Sequence, residues 1–342
     1  MPVRVGIIGL GFMGVTHFRA YQRLRGVRIA AVCTRSEKKL RGDWRDVRGN
    51  FGPSGGVQDM TGIRTYREIE QILNDPDLDL IDICLPTDMH DEVAIAAMKA
   101  GKHVLVEKPI ALTVERADRM LQVARETGRL LMVGQVLRFF PEFALIKRFL
   151  DSGEFGELLG LHLKRIITKP DWSADIANQE KTGGPAIDLH IHDSDFVQFL
   201  FGLPQRVVST GIVNPGGFVD YLATEYLYDG VNRSVSAVSG ALSMPGRPFC
   251  HGYEAYFEKA TFTYDSAYSP QVTWLTAEGK VRKAPVPKKD AFVAELGHVV
   301  ECVRRNTPSP ILSAESARNS LALCYLEVES VKRGEPVAVQ VV

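Results

Sequence analysis

The sequence predicts an α/β protein of two domains, the first built on a parallel sheet and the second on an antiparallel one. Three observations carry this reading. Over the first 135 residues short β-branched runs alternate with helical patterns, the pattern of a parallel sheet covered on both faces. A glycine-rich turn, Gly9-Leu10-Gly11-Phe12-Met13-Gly14, directly follows the first of those runs. After Gly134 the alternation stops, and from Gln205 to Val281 strand patterns follow one another with hairpin turns between them.

Taken in order, strands are expected at Val3 to Ile8, Val27 to Cys33, Leu80 to Leu85, His103 to Val106 and Leu130 to Val133. Helices fill the intervals around Met13 to Arg25, Tyr66 to Leu73, Asp91 to Ala100 and Val114 to Thr127, several with apolar residues three and four apart. The segment Leu40 to Gly62 breaks the rhythm: it is rich in Gly, Asp and Arg and lies where a short connection would suffice, so it reads as an insertion loop. A second domain is expected over 136–342. It starts with a helix over Glu142 to Leu150 and a long strand over Leu158 to Thr168. Asp229-Gly230 punctuates the strands Leu222 to Tyr228 and Arg233 to Ala241, and Glu278-Gly279 marks a further hairpin. Two helices follow, Ala291 to Arg305 and Ala314 to Lys332, the first closed by Asn306 and Pro308, the second opened by Ser313.

Composition narrows the function. The chain has 342 residues, of which 45% are hydrophobic and 24% charged, which fits about two globular domains at roughly 150 residues each. Lysine plus arginine and aspartate plus glutamate both number 41, so no net field draws the chain to nucleic acid or an anionic membrane. No apolar run approaches the ~18 to 20 residues that span a bilayer, and the start lacks a signal-peptide pattern. The expectation is a cytoplasmic enzyme with a small-molecule partner. Five scattered cysteines without a C-x-x-C pair suggest neither a disulfide framework nor a metal site.

The glycine turn matches G-x-G-x-x-G between a strand and a helix, where a dinucleotide needs it. Gly9 permits the tight turn, Gly11 lets backbone approach a pyrophosphate, Gly14 lets helix and strand pack closely, and Phe12 and Met13 open the helix that faces the phosphates. At the end of the second strand an acidic residue would hold the ribose 2′-hydroxyl of NAD. Thr34 stands there instead, and Arg35 with Ser36 could bind a 2′-phosphate. NADP is therefore preferred over NAD, although Ser36 is also an ordinary helix cap. Further cofactor contacts are expected where the next strands end, at Leu85, Pro86, Thr87 and His90, and at Glu107 and Lys108. The insertion then reads as a solvated surface loop, or as a lid or partner contact near the cofactor's adenosine end.

Lys108 follows the strand His103 to Val106 and is fixed by Pro109. Its ammonium can donate to a substrate oxygen and offset developing alkoxide charge. In the second domain, Gly183-Gly184 leads into Asp188 and His192, four apart and hence on one face of the expected helix. His192 can take a proton from an alcohol as hydride leaves, with the Asp188 carboxylate orienting it. His190 and His192 do not form a metal pair, because residues two apart on a helix diverge. Arg138 and Trp172 each admit two readings, Arg138 as a substrate anchor or an interdomain salt bridge and Trp172 as a sugar-stacking ring or a packed aromatic, and Asp175 is a further candidate pocket residue.

Together, the glycine turn, Glu107-Lys108-Pro109 and the Gly-Gly segment with Asp188 and His192 resemble the Gfo/Idh/MocA oxidoreductases. The resemblance covers essentially the whole chain. It implies an N-terminal Rossmann domain on a parallel sheet, followed by an α/β domain with a large, open, mostly antiparallel sheet whose free face makes a homodimer or homotetramer. It also implies that Lys108 touches nicotinamide and substrate, that His192 is the acid or base, and that Asp188 binds substrate. His190 departs from the glycine usual between that aspartate and histidine. The resulting expectation is an NAD(P)-dependent oxidoreductase acting on a secondary alcohol or carbonyl of a sugar, inositol or related polyol. Two rivals stand beside it: an NAD-dependent glycoside hydrolase of the same fold, and a non-catalytic dinucleotide-binding sensor.

Overall fold

A computed structural model describes residues 1–49, 52, 54–169 and 178–340. The chain divides into two compact units, Met1–Val136 with Asp290–Arg318, and Leu137–Lys289 with Asn319–Val342. The sequence reading assigns all of 136–342 to one domain; the chain instead returns over Asp290–Arg318 to the first unit.

The first unit holds β1 (Val3–Ile8), α1 (Phe12–Gln22), β2 (Val27–Cys33), α2 (Glu37–Leu40), β3 (Arg64–Tyr66), α3 (Ile69–Leu73), β4 (Leu80–Ile83), α4 (His90–Lys99), β5 (His103–Glu107), α5 (Val114–Thr127) and β6 (Leu131–Gly134). Its six strands are parallel, in the order β3-β2-β1-β4-β5-β6. Every residue of β4 and β5 is buried, as a sheet covered on both faces requires. The strand order reverses between β1 and β4, and the crevice at such a switch point is where open α/β sheets take ligands. β3 escapes sequence reading because Arg-Thr-Tyr contains no apolar run.

The insertion is not simply a solvated loop. Trp44 is fully buried, its indole N–H donates to the Lys39 carbonyl at 2.8 Å, and its ring meets Phe18 edge-on with centroids 4.8 Å apart. A bridge between Asp43 and Val57 closes the loop, and Arg19 donates to the Ser54 carbonyl at 2.9 Å. One aromatic side chain thus anchors a polar segment, since burying an indole gains apolar area while its N–H finds an acceptor.

The second unit begins with α6 (Pro141–Ser152) and β7 (Leu158–Thr168), then α7 (Gln179–Thr182), α8 (Pro185–Asp188) and α9 (Ile191–Phe201). Seven strands follow: β8 (Arg206–Val213), β9 (Val219–Leu227), β10 (Ser234–Ser243), β11 (Cys250–Phe257), β12 (Ala260–Asp265), β13 (Ser269–Thr276) and β14 (Val281–Lys283). The chain ends with α10 (Ala291–Arg305) of the first unit, α11 (Ala314–Arg333) and β15 (Val337–Ala338). The nine-stranded sheet runs β14-β13-β12-β11-β7-β10-β9-β8-β15, antiparallel throughout except where β10 lies parallel to β7. Phe143, Phe149, Phe196 and Phe262 lie in the core on one face of this sheet, against which α8 and α9 pack. No helix among the described residues is long and apolar enough to cross a membrane.

Candidate active site

The glycine turn has the geometry its residues imply. Gly9 takes φ +94°, and a Cβ there would lie 2.4 Å from the Cys84 carbonyl oxygen; a Cβ on Gly14 would lie 1.9 Å from the Gly9 carbonyl oxygen. Any side chain at either position would force backbone apart. Gly11 is the reverse case: it is exposed, nothing lies within 4 Å of where its Cβ would be, and it caps α1 with no side-chain hydrogen bond. Phe12 and Met13, both half-buried, form the first turn. Bare backbone at a helix N-terminus facing open space is what a pyrophosphate needs, so these residues fit a dinucleotide.

Where β2 ends, Thr34 donates its N–H to the Tyr66 carbonyl at 3.1 Å, and its Oγ1 accepts the Ser36 N–H at 3.4 Å. The Ser36 hydroxyl caps α2 by accepting from the Lys39 N–H at 3.4 Å. Arg35 is exposed. No acidic side chain occupies the position expected to hold a 2′-hydroxyl.

At the ends of β4 and β5, Leu85 and Pro86 are half-buried, Thr87 is buried, and Lys108 is half-buried with a cis bond to Pro109. His90 does not present itself to a ligand. It is buried, with Nδ1 2.8 Å from the Pro109 carbonyl oxygen and Nε2 2.9 Å from that of Leu85. This corrects the expectation that it touches cofactor: it joins the two loops that carry Pro86 and Lys108. Burial holds its pKa below the usual histidine range.

Glu107 is buried as well, and one of its carboxylate oxygens accepts the Lys108 backbone N–H at 3.2 Å. Behind it lies a set of polar groups that sequence reasoning passed over: buried His17 on α1, Asp82 on β4 and Glu295 on α10, with half-buried Cys84 just after β4. One signal was present, an aspartate inside the apolar strand Leu80-Ile81-Asp82-Ile83. A carboxylate in a buried parallel strand implies a polar partner.

In the second unit the segment carrying Asp188 and His192 is two helices, not one. α8 ends at Asp188, a turn occupies Leu189 and His190, and α9 starts at Ile191. Leu189 and His190 keep right-handed helical backbone angles, the His190 N–H donates to the Pro185 carbonyl at 3.0 Å, and Asp188 and His192 are both half-buried. His190, in this turn, is fully buried. Its Nδ1 lies 2.7 Å from Ser239 Oγ and its Nε2 2.9 Å from Glu327 Oε2. Ser194 donates to the same carboxylate at 2.9 Å. Ser239 Oγ also donates to Asp193 Oδ2 at 2.8 Å, and Arg165 grips Asp193 with two bonds of 2.9 Å.

Arg138 is buried too, in a bidentate pair with Asp195 at 2.8 and 2.6 Å, and Ser320 adds a bond to Asp195 at 2.8 Å. Both partners belong to the second unit. The geometry gives Arg138 a structural partner within its own unit, in place of the substrate anchor or interdomain bridge expected. Trp172 and Asp175 lie outside the described residues.

Comparison with known proteins settles the family. Residues 3–135 match a model of the oxidoreductase family with an NAD-binding Rossmann fold, and residues 143–262 match the GFO/IDH/MocA C-terminal domain. The chain belongs to the Gfo/Idh/MocA oxidoreductase family. Among Gfo/Idh/MocA relatives, the chain is 26% identical to scyllo-inositol 2-dehydrogenase (NAD(+)) of Bacillus subtilis, covering 99% of this chain and 97% of that protein. It is 24% identical to myo-inositol 2-dehydrogenase of Thermotoga maritima, covering 99% of each. The fold is shared with levoglucosan dehydrogenase solved in complex with NADH and levoglucosan, at a TM-score of 0.84 and 19% identity over 100% of both chains. As in other members of the family, the parallel sheet is an NAD-binding Rossmann domain, and the chain is an oxidoreductase.

Proposed function

We propose that this Gfo/Idh/MocA member is a dehydrogenase that oxidises a secondary alcohol of an inositol or related sugar, and reduces the corresponding carbonyl. The observation that carries the reading is end-to-end similarity to proteins named inositol dehydrogenases, in a chain that keeps Lys108 after β5 and the Asp188–His192 pair. Bound nicotinamide supplies the hydride acceptor and donor. Lys108 donates to the substrate oxygen and offsets the negative charge that builds there as the C–H bond breaks. His192 takes the hydroxyl proton in oxidation and returns it in reduction, while Asp188 binds the substrate and orients the imidazole. With Thr34, Arg35 and Ser36 at the end of β2, the chain prefers NADP to NAD. The resemblance extends the reading to a homodimer or homotetramer formed through the open face of the nine-stranded sheet.

The test is a fluorescence titration with NADPH and NADH, followed by turnover of myo-inositol, scyllo-inositol and a panel of aldoses read by reduced-cofactor absorbance. Binding of NADPH with turnover of one polyol is expected. Arg35→Asp should weaken NADPH binding on the order of tenfold and leave NADH binding unchanged. His192→Asn should lower kcat by about 100-fold or more without altering cofactor affinity. Cofactor binding with no redox turnover of any member of the panel overturns the dehydrogenase reading, and undiminished turnover by His192→Asn removes that residue from the chemistry.

A further inference from the structure

The buried group behind Lys108 has no place in the chemistry above, and its geometry is specific. His17 is fully buried on α1, one turn past the glycine loop. Its Nδ1 lies 2.9 Å from Asp82 Oδ2. Its Nε2 lies 3.0 Å from Glu107 Oε1, at ion-pair distance though not in line as a hydrogen bond. With a carboxylate oxygen beside each nitrogen, the ring is best matched by a proton on both, because a ring lone pair pointed at a carboxylate is repelled. The other Glu107 oxygen accepts the Lys108 N–H at 3.2 Å, so the ring is linked to the lysine through one carboxylate.

Glu295, on α10, is fully buried, and neither of its carboxyl oxygens has a hydrogen-bond partner among the described residues. It faces Glu107, His17 and Asp82. One imidazolium balances one of the two paired carboxylates and attracts both, but a third buried anion with no donor would stand uncompensated. Further neighbours are the Tyr21 hydroxyl, the Cys84 thiol and the Phe292 ring, whose centroid is 6.1 Å from that of His17.

We propose that His17 is a positioning residue for Lys108: as a doubly protonated ring bridging Asp82 and Glu107 it fixes the Glu107 carboxylate, and so the backbone that carries Lys108, while Glu295 stays a neutral acid beside it. Electrostatics agree with the geometry. Burial, the largest single influence, opposes a proton on His17, but the charge and hydrogen bond of Asp82, together with Cys84, outweigh it and hold the ring well above the usual histidine range. Burial, then the charge of Glu107, pushes Glu295 well above the usual carboxylate range. Burial also raises the Cys84 and Tyr21 groups, which stay neutral. Although His17, Asp82 and Cys84 offer donor atoms within 4.8 Å of one another, both ring nitrogens already face carboxylates, which leaves no lone pair for a metal.

The protonation states can be tested independently of any substrate, whereas the effect on turnover rests on the dehydrogenase reading. Nitrogen-15 histidine NMR of the full chain, with His17 assigned by its loss in His17→Gln, should show both ring nitrogens protonated at about pH 7, where a free imidazole is mostly neutral. A neutral His17 ring at pH 7, or a spectrum of that ring altered by EDTA, overturns the proposal. Glu295→Gln, which mimics the neutral acid, gives a second test. The folded pKa of Glu295 is raised, so its contribution to stability is intact below about pH 4.5 and is lost as pH rises toward the folded value. The variant should therefore melt higher than wild type at pH 8 and alike at pH 4.5; equal destabilisation at both overturns the neutral-acid assignment. With myo-inositol as the assay substrate, His17→Gln and Glu107→Gln should each lower kcat about tenfold with unchanged KM for the nucleotide, and the double variant should fall no further than either single one. Additive losses overturn the claim that His17 acts through Glu107.

Discussion

His251, on β11, shows how strongly a single buried ring can tie this fold to pH. Its ring centroid lies 5.3 to 5.8 Å from those of Phe249, Phe140, Phe143 and Tyr264, and neither nitrogen has a hydrogen-bond partner among the described residues. Burial, and then the charge of Arg165, lower its pKa to about 3. The unfolded chain therefore takes up the proton first, so the contribution of His251 to stability is intact above about pH 6.5 and is lost as pH falls toward its folded pKa. His251→Phe should remove that dependence: urea unfolding at pH 4 should show the variant gaining about 3 kcal/mol on wild type relative to the difference at pH 7. Residues whose chemistry follows from backbone position were legible in the sequence. Gly9, Gly11 and Gly14 are read from their place after a strand, and Lys108 from its place at a strand end. His90, His17 and Glu295 were not, since their roles depend on which carbonyl or carboxylate a distant segment brings against them.

At the level of elements, β1, β2, β7, α5 and α10 begin and end where apolar periodicity, caps and turn residues put them. The turn between Asp188 and His192 was not read from their spacing. His190, in that turn, pairs with Glu327 on α11, a residue the local sequence does not reveal. Removing the ring should leave a buried Glu327 oxygen without one of its polar partners, a change that costs about 1 to 3 kcal/mol. His190→Ala is expected to lose about that much stability in urea unfolding, and Glu327→Gln should cost less in the His190→Ala background than in wild type, because the pair is then already lost. If the two losses simply add, the contact does not couple this turn to α11. The same lattice, from Arg165 through Asp193 and Ser239 to His190, supports the turn between Asp188 and His192, so kcat should drop along with stability in His190→Ala.

On the scale of the whole molecule, sequence reading found the two kinds of sheet but not the return of Asp290–Arg318 to the first unit. An amphipathic helix shows that it has a partner and not which one, and α10 packs on α1, more than two hundred residues earlier in the chain. The nine-stranded sheet raises the last question, what its outer face does. Register places Glu254, His162, Ser236 and Glu225 side by side across β11, β7, β10 and β9, and Leu159, Leu242 and Tyr256 are exposed. A hollow of 740 Å³ lies there, bordered by His162, Tyr221, Leu242 and Glu254. A face that mixes acidic, basic and apolar side chains can complement its own copy across a two-fold axis, the symmetry in which one patch supplies both sides of the contact. Light scattering on a sizing column should therefore give two or four times the chain mass. Leu242→Glu with Tyr256→Glu puts like charges in that contact and should yield a monomer with an unchanged far-ultraviolet dichroism spectrum. A wild-type monomer would overturn the predicted assembly, and a double variant that keeps its full mass would place the assembly contact away from this face.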